Sequence, residues 1–217
     1  MDDFRFVAFI YNTFIACVYV LNTYCLGHIV SMPFTRGVTN EFMKLIFRWA
    51  VGWNMIIFLV HILGLISCLN IVTYLILSFS GLSLYPIIYR RYLINYLPTL
   101  KEDYLRCREK IISLVKENKV VTGILLSFVT MMYLISLAPV SKTDELNYYY
   151  YFIKRIVGQG ALLFDYDQVL SFQPLVQQLW YVPVYGLGAT EAPAVLNVFS
   201  SLLIIFVTYL WLSKYTE

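Results

Sequence analysis

The chain has 217 residues, 60% of them hydrophobic and only 13% charged, with a mean hydropathy of +0.70. A water-soluble domain carries about 25% charged residues, so a soluble globular protein is excluded. A net charge of +3, with no basic stripe interleaved with aromatics, also argues against nucleic acid as a partner.

Phe6 to Val30 contains no acid, lysine or arginine and follows Met-Asp-Asp-Phe-Arg, which lacks the basic start of a signal peptide; it reads as a retained span. Three basic residues, Arg36, Lys44 and Arg48, follow. The 41 residues between Arg48 and Arg90 are again free of acids, lysines and arginines. A helix rises 1.5 Å per residue and the hydrocarbon core is ~30 Å thick, so about 20 residues suffice for one crossing. This run should therefore fold back on itself, with a tight turn at Ser67-Cys68-Leu69-Asn70, its most polar point. His28, His61, Asn12, Asn22 and Asn54 fall within these spans. Isolated amides and imidazoles there are expected to hydrogen-bond between helices, and Ser78, Ser80, Gly81 and Ser83 to form a helix-packing face. Cys17, Cys25, Cys68 and Cys107 show no C-x-x-C spacing and read as small apolar fillers.

Arg90 to Lys119 holds eight lysines and arginines and is expected to form a cytosolic surface helix, with Leu105, Ile111, Ile112 and Leu114 against the headgroups. Two further apolar blocks, Val120 to Val140 and Ala192 to Ser213, bring the expected total to five spans. The basic residues then divide twelve to four between the two faces. This places the N-terminus outside, residues 90–119 and the C-terminus in the cytosol, and Lys142 to Glu191 outside. The expectation is an all-α, polytopic protein of the plasma membrane with interfacial helices in a long external loop. It comprises a three-span region (1–91), a charged cytosolic loop (92–119) and a region (120–217) built as span, external loop 141–191 and span.

The external segment begins Ser-Lys-Thr-Asp-Glu-Leu-Asn followed by four tyrosines, Tyr148 to Tyr151. Ser141 can cap a helix whose third position is Asp144, which accounts for one acid but not for its neighbour Glu145. The helix should run from about Thr143 to Val157 and stop at Gly158 or Gly160. Tyr148, Phe152 and Arg155 share the Asp144 face. An acidic loop with Asp165 and Asp167 follows, then Ser171-Phe172-Gln173-Pro174-Leu175. Pro174 suits the first position of a second, surface-lying helix interrupted at Pro183. Gly188-Ala189-Thr190-Glu191 turns into the last span.

In this order the segment from about Val120 to Leu212 resembles the first external loop of GT-C glycosyltransferases, the polyprenyl-phosphate-sugar-dependent membrane enzymes that include protein O-mannosyltransferases and lipid A aminoarabinose transferases. The resemblance implies Asp144 as general base on an acceptor hydroxyl, and Glu145 as organiser of the site or of a divalent cation, Mg or Mn. Its donor would be a sugar on a polyprenyl phosphate, transferred with inversion. Arg155 or Lys154, or a metal held by Asp165 and Asp167, would face the leaving phosphate; Tyr148 and Gln173 would line the substrate site. The chain departs from the pattern in three places: three spans precede the acidic pair, Gln173 stands where a His or Lys is common, and Asn197 lies near the place of a common Arg. Such enzymes also carry many more spans, so the chain would correspond to their amino-terminal part, to one part of a split enzyme or to a decayed relative. The alternative expectation is a non-catalytic membrane subunit assembled with a membrane-protein partner. A transporter ranks last, because the spans lack the acids, lysines and arginines expected near a midplane site.

Overall fold

The computed structural model describes residues 2–35, 41–90, 150–162 and 176–216, together with 119, 123, 126–128, 130 and 131. Every regular element among them is helical: α1 (Asp2–Thr35), α2 (Glu41–Leu65), α3 (Ile71–Arg90), α4 (Tyr150–Gln159), α5 (Val176–Gly186) and α6 (Ala192–Thr216). Val7–Thr35, Met43–Leu65 and Ile71–Arg90 are each long and apolar enough to cross a bilayer. Their outward faces carry Ile10, Phe14, Leu21, Phe58, Ile76 and Ile87, exposed in the isolated chain. Such a surface is favourable only against lipid or other protein. The chain is thus a helical membrane protein with three such helices among the described residues. Helix α6 opens with an apolar stretch, Ala192–Ile205; most of Val120 to Val140 lies outside the described residues, as does the boundary region 91–118.

Helices α1 and α2 form an antiparallel pair whose backbones touch. A Cβ on Gly27 would overlap the carbonyl oxygen of Arg48, and one on Gly52 would overlap that of Thr23. Close approach of this kind replaces the missing hydrophobic drive between helices in lipid with van der Waals contact. The connection to α3 falls at residues 66–70, where the uncharged run was expected to turn. Ser67 adopts a left-handed φ of 53°, and Cys68 N donates to Leu63 O, which ends α2 in a Schellman arrangement. Asn70 then caps α3. Its Oδ1 accepts from Val72 N and Thr73 N, while Thr73 Oγ1 accepts from Asn70 N.

Packing of α3 on α1 centres on Asn22, which is fully buried. Its Nδ2 donates to Leu77 O at 2.8 Å and its Oδ1 accepts from Gly81 N at 2.7 Å. Those are the two groups that an uninterrupted α-helix pairs with each other, so a side-chain amide from α1 is set into the ladder of α3. Gly81, one of the small residues expected at a packing face, lies in this contact, and Ser78 is buried; Ser83 is exposed and bonds to its own helix at Phe79 O.

The short helix α5 corrects the expectation of a surface helix broken at Pro183. It runs unbroken from Val176 to Gly186 with Pro183 inside, and Trp180, Val182, Pro183 and Val184 are completely buried. The core against which it packs is aromatic: Trp180 meets Trp49, Trp53 and Tyr19 at ring-centroid distances of 5.7, 5.1 and 5.7 Å. The three indole N–H groups have no hydrogen-bond partner, so this cluster is held by packing alone. Pro183 has no N–H to give Leu179 O, which loosens that turn. One residue on, the Tyr19 hydroxyl donates to Trp180 O at 2.7 Å, tying this turn to α1.

Candidate functional site

Contacts from the second half of the chain converge on one end of the bundle. Helix α4 ends at Gly160, with a φ of 64° and its N–H bonded to Ile156 O at 2.9 Å, an αL cap at one of the two expected glycines. The chain then pairs by backbone with the α2–α3 turn: Leu69 N donates to Gly160 O at 3.0 Å and Leu162 N to Gly64 O at 2.9 Å. Helix α5 closes with a Schellman cap, in which Ala189 N bonds Val184 O and Gly188 N bonds Tyr185 O. Gly186 lies against the ring of Tyr74 near the start of α3. Leu187 O accepts from the Tyr11 hydroxyl at 2.7 Å.

The end of the bundle thus assembled holds Tyr11 and Asn12 of α1, the α2–α3 turn, the C-terminal ends of α4 and α5, and the first turn of α6. Thr35 and Arg90 lie at the opposite end. That polarity follows from the antiparallel α1–α2 pair and from His28, late in α1, whose Nδ1 is 3.1 Å from the Tyr85 hydroxyl, late in α3. It is also the interhelical role expected of an isolated histidine. His61, by contrast, lies on an exposed face.

Glu191 is the only carboxylate among the described side chains, and it is fixed. Asn12 Nδ2 donates to its Oε2 at 3.3 Å, and Asn12 Oδ1 accepts from its N–H at 3.1 Å. The amide reads both side chain and backbone of the Gly-x-x-Glu turn. The Asn12–Glu191 pair is the feature that sequence reasoning missed. An asparagine near the end of a lipid-exposed helix is a visible signal, but nothing local names a partner 179 residues away.

Of the residues expected to act chemically, Asp144, Glu145, Tyr148, Asp165, Asp167 and Gln173 lie outside the described residues. Arg155 is described: half-buried, with its guanidinium 6.0 Å from the centroid of the Tyr151 ring. The face of α4 turned into the bundle carries Phe152, Ile153 and Ile156. Tyr150 meets Tyr185 edge-on at 6.2 Å, and burial pushes the Tyr185 phenol above its ordinary value, so it stays neutral. Asn197, near the place of the missing arginine, accepts a hydrogen bond from the Tyr181 hydroxyl. Among the described residues no three or more His, Cys, Asp or Glu side chains come together as a metal site. No family model, curated protein or solved structure matches the chain.

Proposed function

We propose that the chain is a GT-C-type membrane glycosyltransferase, or the amino-terminal part of one, acting on the face that carries residues 142–191. The membrane would be crossed five times, by α1, α2, α3, the Val120–Val140 block and α6, with the N-terminus outside. The observation that carries this reading is the docking of Gly160, Leu187 and Glu191 at one end of the bundle, opposite Arg90. It supports an external segment lying across the bilayer from the basic 90–119 stretch, with the acidic pair a few residues upstream of a helix anchored at that end.

The chemistry follows from the residue types. An acceptor hydroxyl oxygen attacks the anomeric carbon of a polyprenyl-phosphate sugar. The carbon–oxygen bond to phosphate breaks, its electron pair leaves with the lipid phosphate, and the hydroxyl proton passes to the Asp144 carboxylate. Arg155 or Lys154 would stabilise the charge gained by the leaving phosphate. Mg or Mn, if used, would be held by the hard oxygens of Asp165 and Asp167 with Glu145 nearby. Replacing Asp144 with Asn, with unchanged expression, should abolish sugar transfer from a polyprenyl-phosphate donor; persistent transfer removes the assigned base.

One observation favours a second reading, a non-catalytic subunit. The outward face of α2 forms a shallow groove lined by Phe47, Ala50, Val51, Asn54, Met55 and Phe58. Asn54, well inside that span, bonds only its own helix at Ala50 O. An amide facing outward at that depth suits a partner helix. Loss of a co-purifying membrane protein on Asn54→Leu, with function indifferent to Asp144→Asn, would select this reading over the first.

A further inference from the structure

Arg48 is a cation inside a membrane-crossing helix with no counter-ion among the described residues. It lies five residues inward from Met43, the start of the apolar stretch of α2, which is about 7–8 Å along the axis. Its guanidinium makes one hydrogen bond, from Nη1 to the Tyr24 hydroxyl at 3.4 Å, and its Nε is enclosed without a partner. No carboxylate among the described residues stands within ion-pair distance. A charge at such depth is costly, and its surroundings are normally arranged to compensate it.

Those surroundings are phenols and an imidazole. The Tyr24 ring lies 6.1 Å from that of His28, and His28 lies 5.5 and 4.9 Å from the rings of Tyr85 and Tyr89. Tyr85 and Tyr89 stack at 4.7 Å. One turn beyond His28 on the same stripe of α1, Ser31 is completely buried with its Oγ unpartnered. Arg48, Tyr24, His28 and Tyr85 are only half-buried, so the cluster opens at the side of the bundle. Every polar group of this cluster can donate a hydrogen bond, and among the described residues no carboxylate joins it. Guanidinium and hydroxyl donors around a tetrahedral oxyanion are the chemistry of phosphate recognition. The level, one to two turns from the Arg90 end, is where lipid headgroup phosphates meet the protein.

We propose that Arg48, with the hydroxyls of Tyr24 and Tyr85, forms a site for the phosphate group of an anionic lipid in the leaflet at the Arg90 end of the bundle. This site is separate from the transferase reading and stands without it, since the two lie at opposite ends of α1.

The test is thermal unfolding of the full chain, delipidated in neutral detergent and titrated with phosphatidylglycerol, phosphatidylcholine or inorganic phosphate. Phosphatidylglycerol should raise the midpoint saturably and phosphatidylcholine should not. Arg48→Gln should lose at least tenfold in apparent affinity, while Arg90→Gln, which removes an exposed charge at the same end, should respond as wild type. Tyr85→Phe, which keeps the ring and removes the hydroxyl, should weaken the response several-fold and serves as the test if Arg48→Gln does not fold. Equal responses to both lipids, or an unchanged response in Arg48→Gln or, where that variant does not fold, in Tyr85→Phe, would overturn the proposal. So would the same shift from inorganic phosphate alone, which would mark a site for a soluble anion.

Discussion

Asn12 and Glu191 grip each other twice, amide nitrogen to carboxylate and amide oxygen to backbone N–H, although 179 residues separate them. Asn12 is almost fully buried, so neither bond is readily exchanged for one with water. Asn12→Ala should lower stability by about 1–3 kcal/mol, because both groups of the turn lose their partner. Glu191→Gln keeps the backbone bond and should cost less. Thermal unfolding in detergent, run as a double-mutant cycle, gives the coupling, which should be clearly non-zero.

The α1–α2 contact makes opposite predictions for glycines that look alike in sequence. Gly27→Ala and Gly52→Ala each push a methyl into a backbone carbonyl of the facing helix, and each should cost more than about 3 kcal/mol or abolish folding. Gly158 has open space where its Cβ would be. Gly158→Ala should be neutral or stabilise α4 by up to about 1 kcal/mol through helix propensity alone. Folded yield and unfolding midpoint separate the two classes.

At Asn22 the outcome depends on which replacement is made. Asn22→Ala removes the inserted amide and lets Leu77 O and Gly81 N pair with each other, so the loss should be about 1–2 kcal/mol. Asn22→Asp keeps the shape but turns the donor into an acceptor facing Leu77 O, in a buried site where a carboxylate is costly. It should destabilise by roughly 3 kcal/mol or more. An order of Asp below Ala below wild type in unfolding midpoint supports the inserted geometry; the reverse order contradicts it.

Ser67 holds a left-handed backbone without being glycine. Ser67→Gly should stabilise by about 1 kcal/mol by removing the Cβ penalty, whereas Asn70→Ala, three residues on, should cost about 1 kcal/mol by uncapping α3. Both are read from the same unfolding curve.

The native thiols test the orientation. Cys68 is exposed in the α2–α3 turn, while Cys107 belongs to the basic 90–119 stretch. Cys17 and Cys25 lie within the apolar part of α1, where a water-soluble reagent does not reach. On intact cells an impermeant maleimide should modify Cys68 and leave Cys107 until the membrane is permeabilised. Labelling of Cys107 first would invert the proposed topology.

How much of this was legible in the sequence differs from element to element. The turn at Ser67–Asn70 could be read because an uncharged run twice the bilayer thickness must reverse, and it reverses at its most polar point. The stop at Gly160 could be read because an αL residue needs no long-range knowledge. Helix α5 could not. Eleven residues, mostly apolar, fit an interface or an interior equally well, and what decides is Tyr19, Trp49 and Trp53, more than 120 residues upstream. Pro183 pointed the wrong way for the same reason, since the helix continues through it inside a slot whose walls come from α1 and α2. At the transferase-like site only Lys154 and Arg155, among the residues expected to act, fall within the described chain.

The burial of α5 has a consequence for how the molecule is made. Its slot is built by α1 and α2, yet about 110 residues separate the end of α2 from Val176. At ~5–20 residues per second, translation takes roughly 5–20 s to cover that distance. During that interval Trp49, Trp53 and the Tyr19 hydroxyl lack the indole and the carbonyl of Trp180 that they meet in the finished fold. The interior of the nascent protein is therefore completed late, by a segment arriving from the ribosome after its walls are already in place.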